Sequence, residues 1–408
     1  MTKIKTNRNN TNNVPPLRFP EFSGEWKEHK LRNVCKLLSG GTPALDISCY
    51  WNGNIPFISA TAMHKPYIID SEQYLSEEGL VHGSKLLKQG NLLLLVRGSM
   101  LWKRIPVCYN KVDVAFNQDV KGIIPNNVTN SSFLLYWFLS QENRIKYMVT
   151  GTGIGAGKLD MEDLLSMKIL LPLQDEQRKV VSLLQLIDAR ITTQNKIIEK
   201  YESLIQAIIY RKKVDGIHNG NWQKTELSKV LKERHEKNTD GHVVCSVSVS
   251  QGVVNQIEYL GRSFAAKETS HYNVVNYGDI VYTKSPTGNF PYGIVKRSCI
   301  QNTVAVSPLY GVYKPVSDSI GVILHFYFMQ PNNAFNYLHP LIQKGAKNTI
   351  NITNTRFLEN TISLPKTEHE AIYIANALIS IQTKLEIEKS LLRLYKKEKQ
   401  YLLRQMFI

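Results

Sequence analysis

The segment that comes closest to a catalytic motif is the glycine-rich run Gly151-Thr-Gly-Ile-Gly-Ala-Gly157-Lys158. A nucleotide-binding P-loop places a glycine five residues before its Gly-Lys pair and a serine or threonine directly after it. Those two places hold Thr152 and Leu159 here, so the run lacks two residues that a triphosphate site requires. We interpret it as a flexible loop near a phosphate backbone, with a plain connector as the alternative.

Other patterns that carry chemistry are incomplete as well. Asp175-Glu176 resembles the acidic pair of a helicase but has no P-loop to act with. No Asn-Pro-Pro or Asp-Pro-Pro motif precedes an aromatic residue, and the five cysteines form no Cys-x-x-Cys pair. His64, His271 and His325 have no cysteine or carboxylate at metal-ligand spacing. The sequence therefore predicts no catalytic residue, no metal site and no cofactor in this chain.

The balance of charge favours a polyanion as the partner. Lys and Arg number 50 against 34 Asp and Glu, a formal net charge of +16, and basic proteins gain affinity for nucleic acid by releasing its counterions. Base edges and phosphates are contacted mainly by Arg, Lys, Asn, Gln, Ser and Thr. The candidate contacts in the first half are Ser39, Gly40, Gly41, Thr42, His64, Lys65, Arg97, Ser99, Trp102, Lys103, Arg104, Asn117, Gln118 and Lys158. Those in the second half are Lys284, Ser285, Thr287, Asn289, Tyr292, Lys296, Arg297, Gln301, Asn302, Lys347 and Asn348.

An internal repeat organises the elements that must position these residues. Gly24-Glu-Trp26, followed by a leucine and a valine, recurs 196 residues later as Gly220-Asn-Trp222 with the same followers. Leu171-Pro172 likewise recurs as Leu364-Pro365. Two matches in the same order predict two copies of one plan, each a strand-rich stretch that leads through a proline into a helix.

The helix in each copy carries a heptad pattern. Apolar residues step by four and three along 180–208 and again along 374–402, as in the seam of a coiled coil. Both seams are interrupted at the matching places Gln194 and Glu388, and a polar seam residue commonly fixes register. The spacing predicts that the two helices pair with each other; the alternative is that each packs only on its own domain.

The chain resembles the specificity subunit of type I restriction–modification enzymes. Ser39-Gly-Gly-Thr-Pro43, followed by Tyr50-Trp51 and Gly53-Asn-Ile-Pro-Phe57, is similar to the opening of a target recognition domain of that family. Ile169-Leu-Leu-Pro-Leu-Gln-Asp-Glu-Gln177 is similar to the junction where such a domain enters its long helix. The second copy departs from the pattern, because Thr-Glu-His-Glu370 replaces the usual Glu-Gln pair.

The repeat and the resemblance together predict an α+β fold. Two target recognition domains of mixed strands and short helices would be separated by two long antiparallel coiled-coil helices, in a pseudo-two-fold internal repeat. The predicted boundaries are 1–16 for a disordered arm, 17–171 for the first recognition domain, 172–213 for the first long helix, 214–364 for the second recognition domain and 365–408 for the second long helix. Unpaired cysteines and the lack of a long apolar run favour a cytoplasmic protein without a membrane span.

The resemblance also implies a function and partners. It implies a non-catalytic subunit that recognises a bipartite, asymmetric double-stranded DNA target with a non-specific spacer, and that directs adenine methylation and restriction. Two modification subunits would carry S-adenosylmethionine, and two restriction subunits would use ATP and Mg. A coiled-coil adaptor with non-specific DNA binding is the main alternative, and a stand-alone nuclease or methyltransferase is a third.

Overall fold

The computed structural model describes residues 13–153, 155–262, 265–344 and 350–408. Residues 1–12 of the predicted arm therefore lie outside the described residues, as do Lys347 and Asn348. Residues 13–16 belong to the folded protein, since the carbonyl of Asn13 accepts a hydrogen bond from the backbone N–H of Trp26 at 2.7 Å and Pro15 is buried.

The chain divides into two compact units, and the division cuts both long helices. The first unit comprises the residues up to Thr193 together with Leu392–Ile408, and the second comprises Gln194–Leu391. These boundaries differ from those drawn along the sequence, because each unit contains part of one long helix and the opposite part of the other.

The first unit is built around one five-stranded sheet and several smaller ones. Its strands are β1 Lys27–Lys30, β2 Cys35–Ser39, β3 Ile55–Ile58, β4 Tyr67–Ile68, β5 Tyr74–Leu75, β6 Leu86–Leu87, β7 Leu92–Leu95, β8 Arg97–Gly98, β9 Val107–Asn110, β10 Val114–Phe116, β11 Val120–Pro125, β12 Val149–Gly151, β13 Gly157–Leu159 and β14 Lys168–Leu171. Its short helices are α1 Glu77–Gly83, α2 Ser131–Ser140, α3 Glu142–Lys146 and α4 Met161–Ser166, before the long helix α5 Gln174–His218. The main sheet has the order β2-β11-β7-β9-β4, beside sheets β5-β3-β10-β6, β12-β13-β8 and β1-β14.

The core of the first unit forms where β7 meets α2. All four leucines of β7 are fully buried, as expected of a central strand with β11 and β9 on either side. Helix α2 begins at the side chain of Asn130, which accepts hydrogen bonds from the next helical N–H groups, and it buries Phe133–Phe138. The far end of the chain completes this core, since the rings of Phe133 and Phe407 lie 5.1 Å apart.

The second unit repeats this plan with fewer strands. Its strands are β15 Trp222–Glu226, β16 Leu231–Glu233, β17 Cys245–Ser248, β18 Gly252–Asn255, β19 Asn273–Val275, β20 Ile280–Tyr282, β21 Val295–Arg297, β22 Val304–Val306, β23 Gly311–Pro315, β24 Gln343–Lys344, β25 Ile350–Asn351 and β26 Thr361–Pro365. Its helices are α6 Gln256–Leu260, α7 Asp318–Phe328, α8 Pro331–Leu338 and α9 Asn354–Phe357, before the long helix α10 Glu368–Gln405. Its main sheet, β16-β23-β20-β21, has the same order as the first four strands of the sheet in the first unit.

The sequence repeat corresponds to one structural joint that occurs in both units. The strand that begins near the repeated tryptophan pairs antiparallel with the strand before the long helix, β1 with β14 and β15 with β26. The indole N–H of Trp26 donates to Glu176 at 3.2 Å, and that of Trp222 donates to Glu370 at 3.0 Å. The predicted internal repeat is therefore present in the fold, and Glu176 anchors a helix entry.

The two long helices run antiparallel within each unit. In the first unit, Lys399 of α10 donates to Asp188 of α5 at 2.5 Å. In the second unit, the amide of Gln194 donates to the carbonyl oxygen of Glu388 at 3.1 Å. Of the apolar seam residues beside these polar pairs, Ile187, Ile198 and Leu385 are buried, and Ile191 and Leu392 are half-buried. The predicted pairing is therefore confirmed over the alternative of separate helices.

Helix α5 ends later than the sequence suggested, at His218 and not at residue 213. Gly220 has a φ of +70°, and the N–H of Asn221 donates to the carbonyl of Gly216 at 2.8 Å. This geometry is a Schellman-type helix end, which needs a glycine after the last helical turn. No helix of the described residues is long and apolar enough to cross a membrane.

Candidate nucleic-acid interface

In the first unit, the strands at the two ends of the glycine-rich run form a hairpin beside β8, and two basic residues lie side by side there. Strands β12 and β13 pair antiparallel, and β13 also pairs with β8, where Lys158 lies opposite Arg97. Both side chains are exposed, and Arg97 approaches one carboxylate, Asp119, at 3.7 Å. Neighbouring strands lie about 4.8 Å apart, so the hairpin presents two adjacent positive charges to a polyanion.

The 3-10 turn Ser99–Trp102 lies against this hairpin. The indole N–H of Trp102 donates to the carbonyl of Gly155 at 3.0 Å, and the Trp102 residue is 46% exposed. Lys146, which the sequence did not suggest, donates to the carbonyl of Lys103 at 3.0 Å and fixes the end of the turn. Its position at the C-terminal end of a short helix was the available signal, since basic residues are favoured there.

Arg104 holds a second loop beside the turn and does not extend into solvent. Its guanidinium donates to the carbonyls of Met63 at 2.7 Å and His64 at 3.4 Å. His64 and Lys65 are thereby exposed at the border of a cavity of about 510 Å³. Arg104 therefore acts as a positioning residue for His64 and Lys65.

Side-chain hydrogen bonds hold the loop Ser39–Thr42 against the residues that follow β10. The hydroxyl of Thr42 donates to the amide oxygen of Gln118 at 2.8 Å, and Lys121 donates to the hydroxyl of Ser39 at 2.8 Å. Asn117 accepts a hydrogen bond from the N–H of Asp119 at 3.2 Å, so part of its amide is already occupied. The structure thus brings two segments together that are far apart in sequence, 39–42 and 117–118.

The candidates of the second unit cluster around the connection between β20 and β21. Thr287 and Phe290 exchange backbone hydrogen bonds of 3.0 and 2.9 Å, and the tight turn between them exposes Asn289. Ser285 is exposed and its carbonyl accepts from the Thr287 hydroxyl at 3.3 Å. Lys284 is half-buried, and burial lowers the pKa of its ammonium while Glu233 opposes the shift.

Tyr292 follows this turn and belongs to an aromatic group that the sequence did not suggest. Its ring lies 5.3 Å from that of Phe335 and 5.8 Å from that of His339. The spacing of four residues between Phe335 and His339 was the available signal, because it places both on one helix face. Gln301 and Asn302 lie in the next loop, where Asn302 borders a cavity of about 760 Å³.

Lys296 and Arg297 are corrections to the predicted contacts, because both are buried, at 3% and 5% exposure. Arg297 donates to Asp318 and lies 4.6 Å from the ring of Tyr277. Its backbone N–H donates to Nδ1 of His325 at 3.1 Å, and burial lowers the pKa of that histidine to about 3. Helix α7 covers β21, so neither basic residue is available for contact with DNA.

The family model described as type I restriction modification DNA specificity domain matches residues 23–203. Over these residues the chain is similar to that family of specificity domains. The match contains the hairpin, the 3-10 turn and the loops 39–42 and 63–65, which together are called the first candidate surface. It also confirms the resemblance seen in the sequence.

Curated relatives of the specificity domain are similar over part of their length. Over 174 residues the chain is 34% identical to the specificity subunit of the type I restriction enzyme EcoR124I/EcoR124II of Escherichia coli, covering 42% of this chain and 43% of that protein. Over 186 residues it is 27% identical to the MjaIX specificity subunit of Methanocaldococcus jannaschii, covering 43% and 41%. The chain thus spans less than half the length of these relatives.

Solved structures are similar over nearly the whole chain. The type I restriction–modification S subunit from M. genitalium superposes with a TM-score of 0.60 at 12% identity, covering 97% of this chain and 99% of that one. A structure from work on complex assembly and conformational transition of the type I restriction–modification system superposes with a TM-score of 0.51 at 12% identity, covering 93% and 96%. At such identity the likeness shows the fold, and it confirms the predicted fold class.

The two glycines of the 39–42 loop allow close packing of the backbone in the first unit. A Cβ on Gly40 would lie 2.1 Å from the carbonyl oxygen of Phe116, and one on Gly41 would lie 2.4 Å from that of Gly83. The backbone must approach these carbonyls closely to bring Thr42 to Gln118. Gly40 and Gly41 therefore position the loop.

Gly40→Ala is expected to destabilise the first unit by about 2 kcal/mol, because the added methyl group overlaps backbone that must shift. Thermal unfolding followed by circular dichroism measures the loss. Gly153→Ala is the matched control, since a Cβ there meets no atom within 4 Å. Equal melting temperatures for the two variants would contradict the close approach.

Lys296→Met is expected to stabilise the second unit by about 3 kcal/mol at pH 7. Burial lowers the pKa of Lys296 to about 8, against about 10.4 in an unfolded chain. Between these values the unfolded chain binds more protons, so wild-type stability rises with pH, and the burial penalty is fully present below about pH 8.

Urea unfolding of Lys296→Met and of the wild type at pH 7 and pH 10 tests the predicted direction in which stability changes with pH. The stability of the variant should change little between the two pH values, whereas that of the wild type should rise. Lys314→Met is the control, because Lys314 is exposed on β23 of the same sheet. A variant that is less stable than the wild type at pH 7 would contradict the prediction.

Proposed function

We propose that this chain is the DNA-recognising specificity subunit of a type I restriction–modification enzyme. It binds a bipartite, asymmetric double-stranded DNA target with a non-specific spacer, and it carries no catalytic residue. Its partners are two modification subunits that use S-adenosylmethionine to methylate adenine and two restriction subunits that use ATP and Mg. The complex works in the cytoplasm.

The observation that carries this proposal is one fold built twice with different side chains on the equivalent connections. The connection after β7 presents Arg97 and Trp102, whereas the connection after β20 presents Lys284, Asn289 and Tyr292. Base edges distinguish such side chains by their donors and acceptors. Two unlike surfaces on one chain therefore favour a target with two unlike halves.

The long helices support the part of the proposal that concerns partners. Beyond the buried seam they expose large apolar side chains, among them Leu186, Leu204, Ile387 and Leu394, at 63%, 44%, 55% and 59%. Exposed apolar side chains on a helix favour the docking of another protein. We assign these faces to the modification subunits.

A competition experiment separates this function from the adaptor hypothesis. The motif is first defined as the DNA sequence whose adenines become methylated when the chain and its modification subunits are expressed in cells. The full chain, purified with those subunits, is then bound to a duplex that carries this methylated motif and is challenged with a scrambled duplex of equal composition. A specificity subunit prefers its target by roughly a thousandfold or more, and its affinity falls steeply with salt. Equal binding of both duplexes would favour the adaptor with non-specific DNA binding.

A further inference from the structure

The same connection of the central sheet carries an aromatic side chain in both units. In the first unit this connection runs from β7 to β9 and contains Trp102; in the second it runs from β20 to β21 and contains Tyr292. The strands on either side occupy equivalent places in the two sheet orders. The aromatic position therefore belongs to the repeated plan, although the residues around it differ.

Trp102 is the tryptophan with the greatest exposure in this protein. Trp26, Trp137 and Trp222 are buried at 6% exposure or less, whereas Trp102 is 46% exposed, and Trp51 is half-buried. Burial of such a ring would stabilise the fold, since aromatic side chains carry a large apolar area. Its exposure beside two basic side chains leaves the ring available for contact with a polyanion.

The chemistry of the Trp102 ring limits what it can contact. Indole has one hydrogen-bond donor and no acceptor, and that donor is already bound to the carbonyl of Gly155. The ring edge also lies against Gly151, where an added Cβ would be 3.8 Å from Cζ2 of Trp102. The ring therefore offers a π face with a fixed orientation and no free hydrogen-bonding group.

Tyr292 is held in a comparable way by other rings. The rings of Phe335 and His339 stack at 5.2 Å with an interplanar angle of 15°, and Tyr292 leans on both. Phe335 is 41% exposed and His339 is exposed as well. The second unit thus also places a supported aromatic face at the end of this connection.

We propose that Trp102, and Tyr292 at the equivalent place, contact duplex DNA through van der Waals packing of the ring, and that Trp102 does so without a hydrogen bond to a base edge. This inference rests on the proposed function and specifies how two of its contacts work. Aromatic and apolar side chains that pack in a groove or wedge at a base step of a duplex add contact area and respond to the shape of the duplex. Lys158 and Arg97 supply the phosphate contacts beside Trp102.

Binding by Trp102→Ala tests the contact, with the full chain purified together with its modification subunits and a duplex carrying the methylated motif. Loss of one aromatic packing contact should weaken binding by roughly tenfold to a hundredfold, while the dependence of affinity on salt keeps its slope. Lys158→Ala should instead lower that slope by about one. Trp102→Phe should retain most of the affinity because it keeps a ring.

Tryptophan fluorescence gives a second measurement that does not depend on the target sequence. Addition of duplex should quench the emission of the wild type, and Trp102→Phe should lose that quench. Trp51→Phe is the matched control, since the Trp51 indole also donates to a carbonyl, that of Ala44 at 3.0 Å, but its ring packs on Phe57. This variant should keep the quench.

The outcomes separate this inference from the proposed function. Target preference in the wild type together with unchanged affinity in Trp102→Ala, or a full quench in Trp102→Phe, would overturn the ring-face contact alone. Equal binding of target and scrambled duplexes by the wild type would overturn the proposed function. The quench with a scrambled duplex would still decide whether Trp102 touches DNA.

Discussion

Replacing Arg97 and Lys158 together by glutamate is expected to weaken binding of the target duplex on the order of a hundredfold or more. The two residues lie opposite each other on β8 and β13, and Arg97 is 55% exposed in its side chain. The change removes two phosphate contacts and brings two carboxylates toward the phosphates, and like charges at an interface cost several kcal/mol. Electrophoretic mobility shift of the complex at fixed salt measures the loss.

Two further variants show whether the loss is local. Lys88→Glu with Lys168→Glu changes the net charge equally, and both lysines are exposed, at 73% and 67% in their side chains. Lys88 lies before β7 and Arg97 after it, so the control charges are at the other end of that strand or in another sheet. A similar loss in both double variants would mean that net charge, and not this hairpin, governs binding. The second variant, Arg97→Gln with Lys158→Gln, removes both positive charges without placing a carboxylate beside Asp119. A loss of binding in this variant therefore cannot come from repulsion between Asp119 and a new glutamate.

Glu176→Ala is expected to lower the free energy of unfolding of the first unit by about 3–5 kcal/mol. The Glu176 carboxylate is 3% exposed and accepts hydrogen bonds from Nε and Nη2 of Arg18, at 2.7 and 2.8 Å, and from the indole of Trp26, at 3.2 Å. Its removal leaves the Arg18 side chain, which is 13% exposed, with only the backbone carbonyls of Ser23 and Gly24 as partners among the described residues, and a largely buried charge that loses its counter-charge is strongly destabilising. The same contact raises the pKa of Arg18.

The repeat supplies the control for this prediction. Glu370 accepts from Trp222 at 3.0 Å, but the residue at the place of Arg18 in the second copy is Val214. Glu370→Ala therefore loses one hydrogen bond and is expected to cost about 1 kcal/mol. Chemical unfolding that gives equal losses for the two variants would mean that the arginine contributes nothing to the joint.

The repeat and the long helices could be predicted because their signals are periodic and long. The Gly-x-Trp pattern marked one structural joint twice, and the heptads marked a seam that the structure buries. Which segments of the chain belong to each unit could not be predicted from the same signals. It depends on residues such as Phe407, which lies against Phe133 far away in sequence, and no local pattern records that contact.

Only some of the residues proposed to contact DNA could be predicted from the sequence. Basic residue type indicated Arg97 and Lys158, but it equally indicated Lys296 and Arg297, which β21 buries because helix α7 covers that strand. Alternation along a strand predicts one exposed face, and it fails where both faces are covered. Gly40 and Gly41 resembled part of a binding loop, whereas backbone packing accounts for them.

Mapping of methylated adenines tests the proposed function most directly, in cells that express this chain together with a type I modification subunit. We expect a gapped, two-part motif that appears only when the chain is present. We also expect that Arg97→Glu with Lys158→Glu abolishes methylation at that motif, whereas Lys88→Glu with Lys168→Glu does not. A stable complex with the modification subunit but no new methylated motif would contradict the role of this chain in recognising DNA.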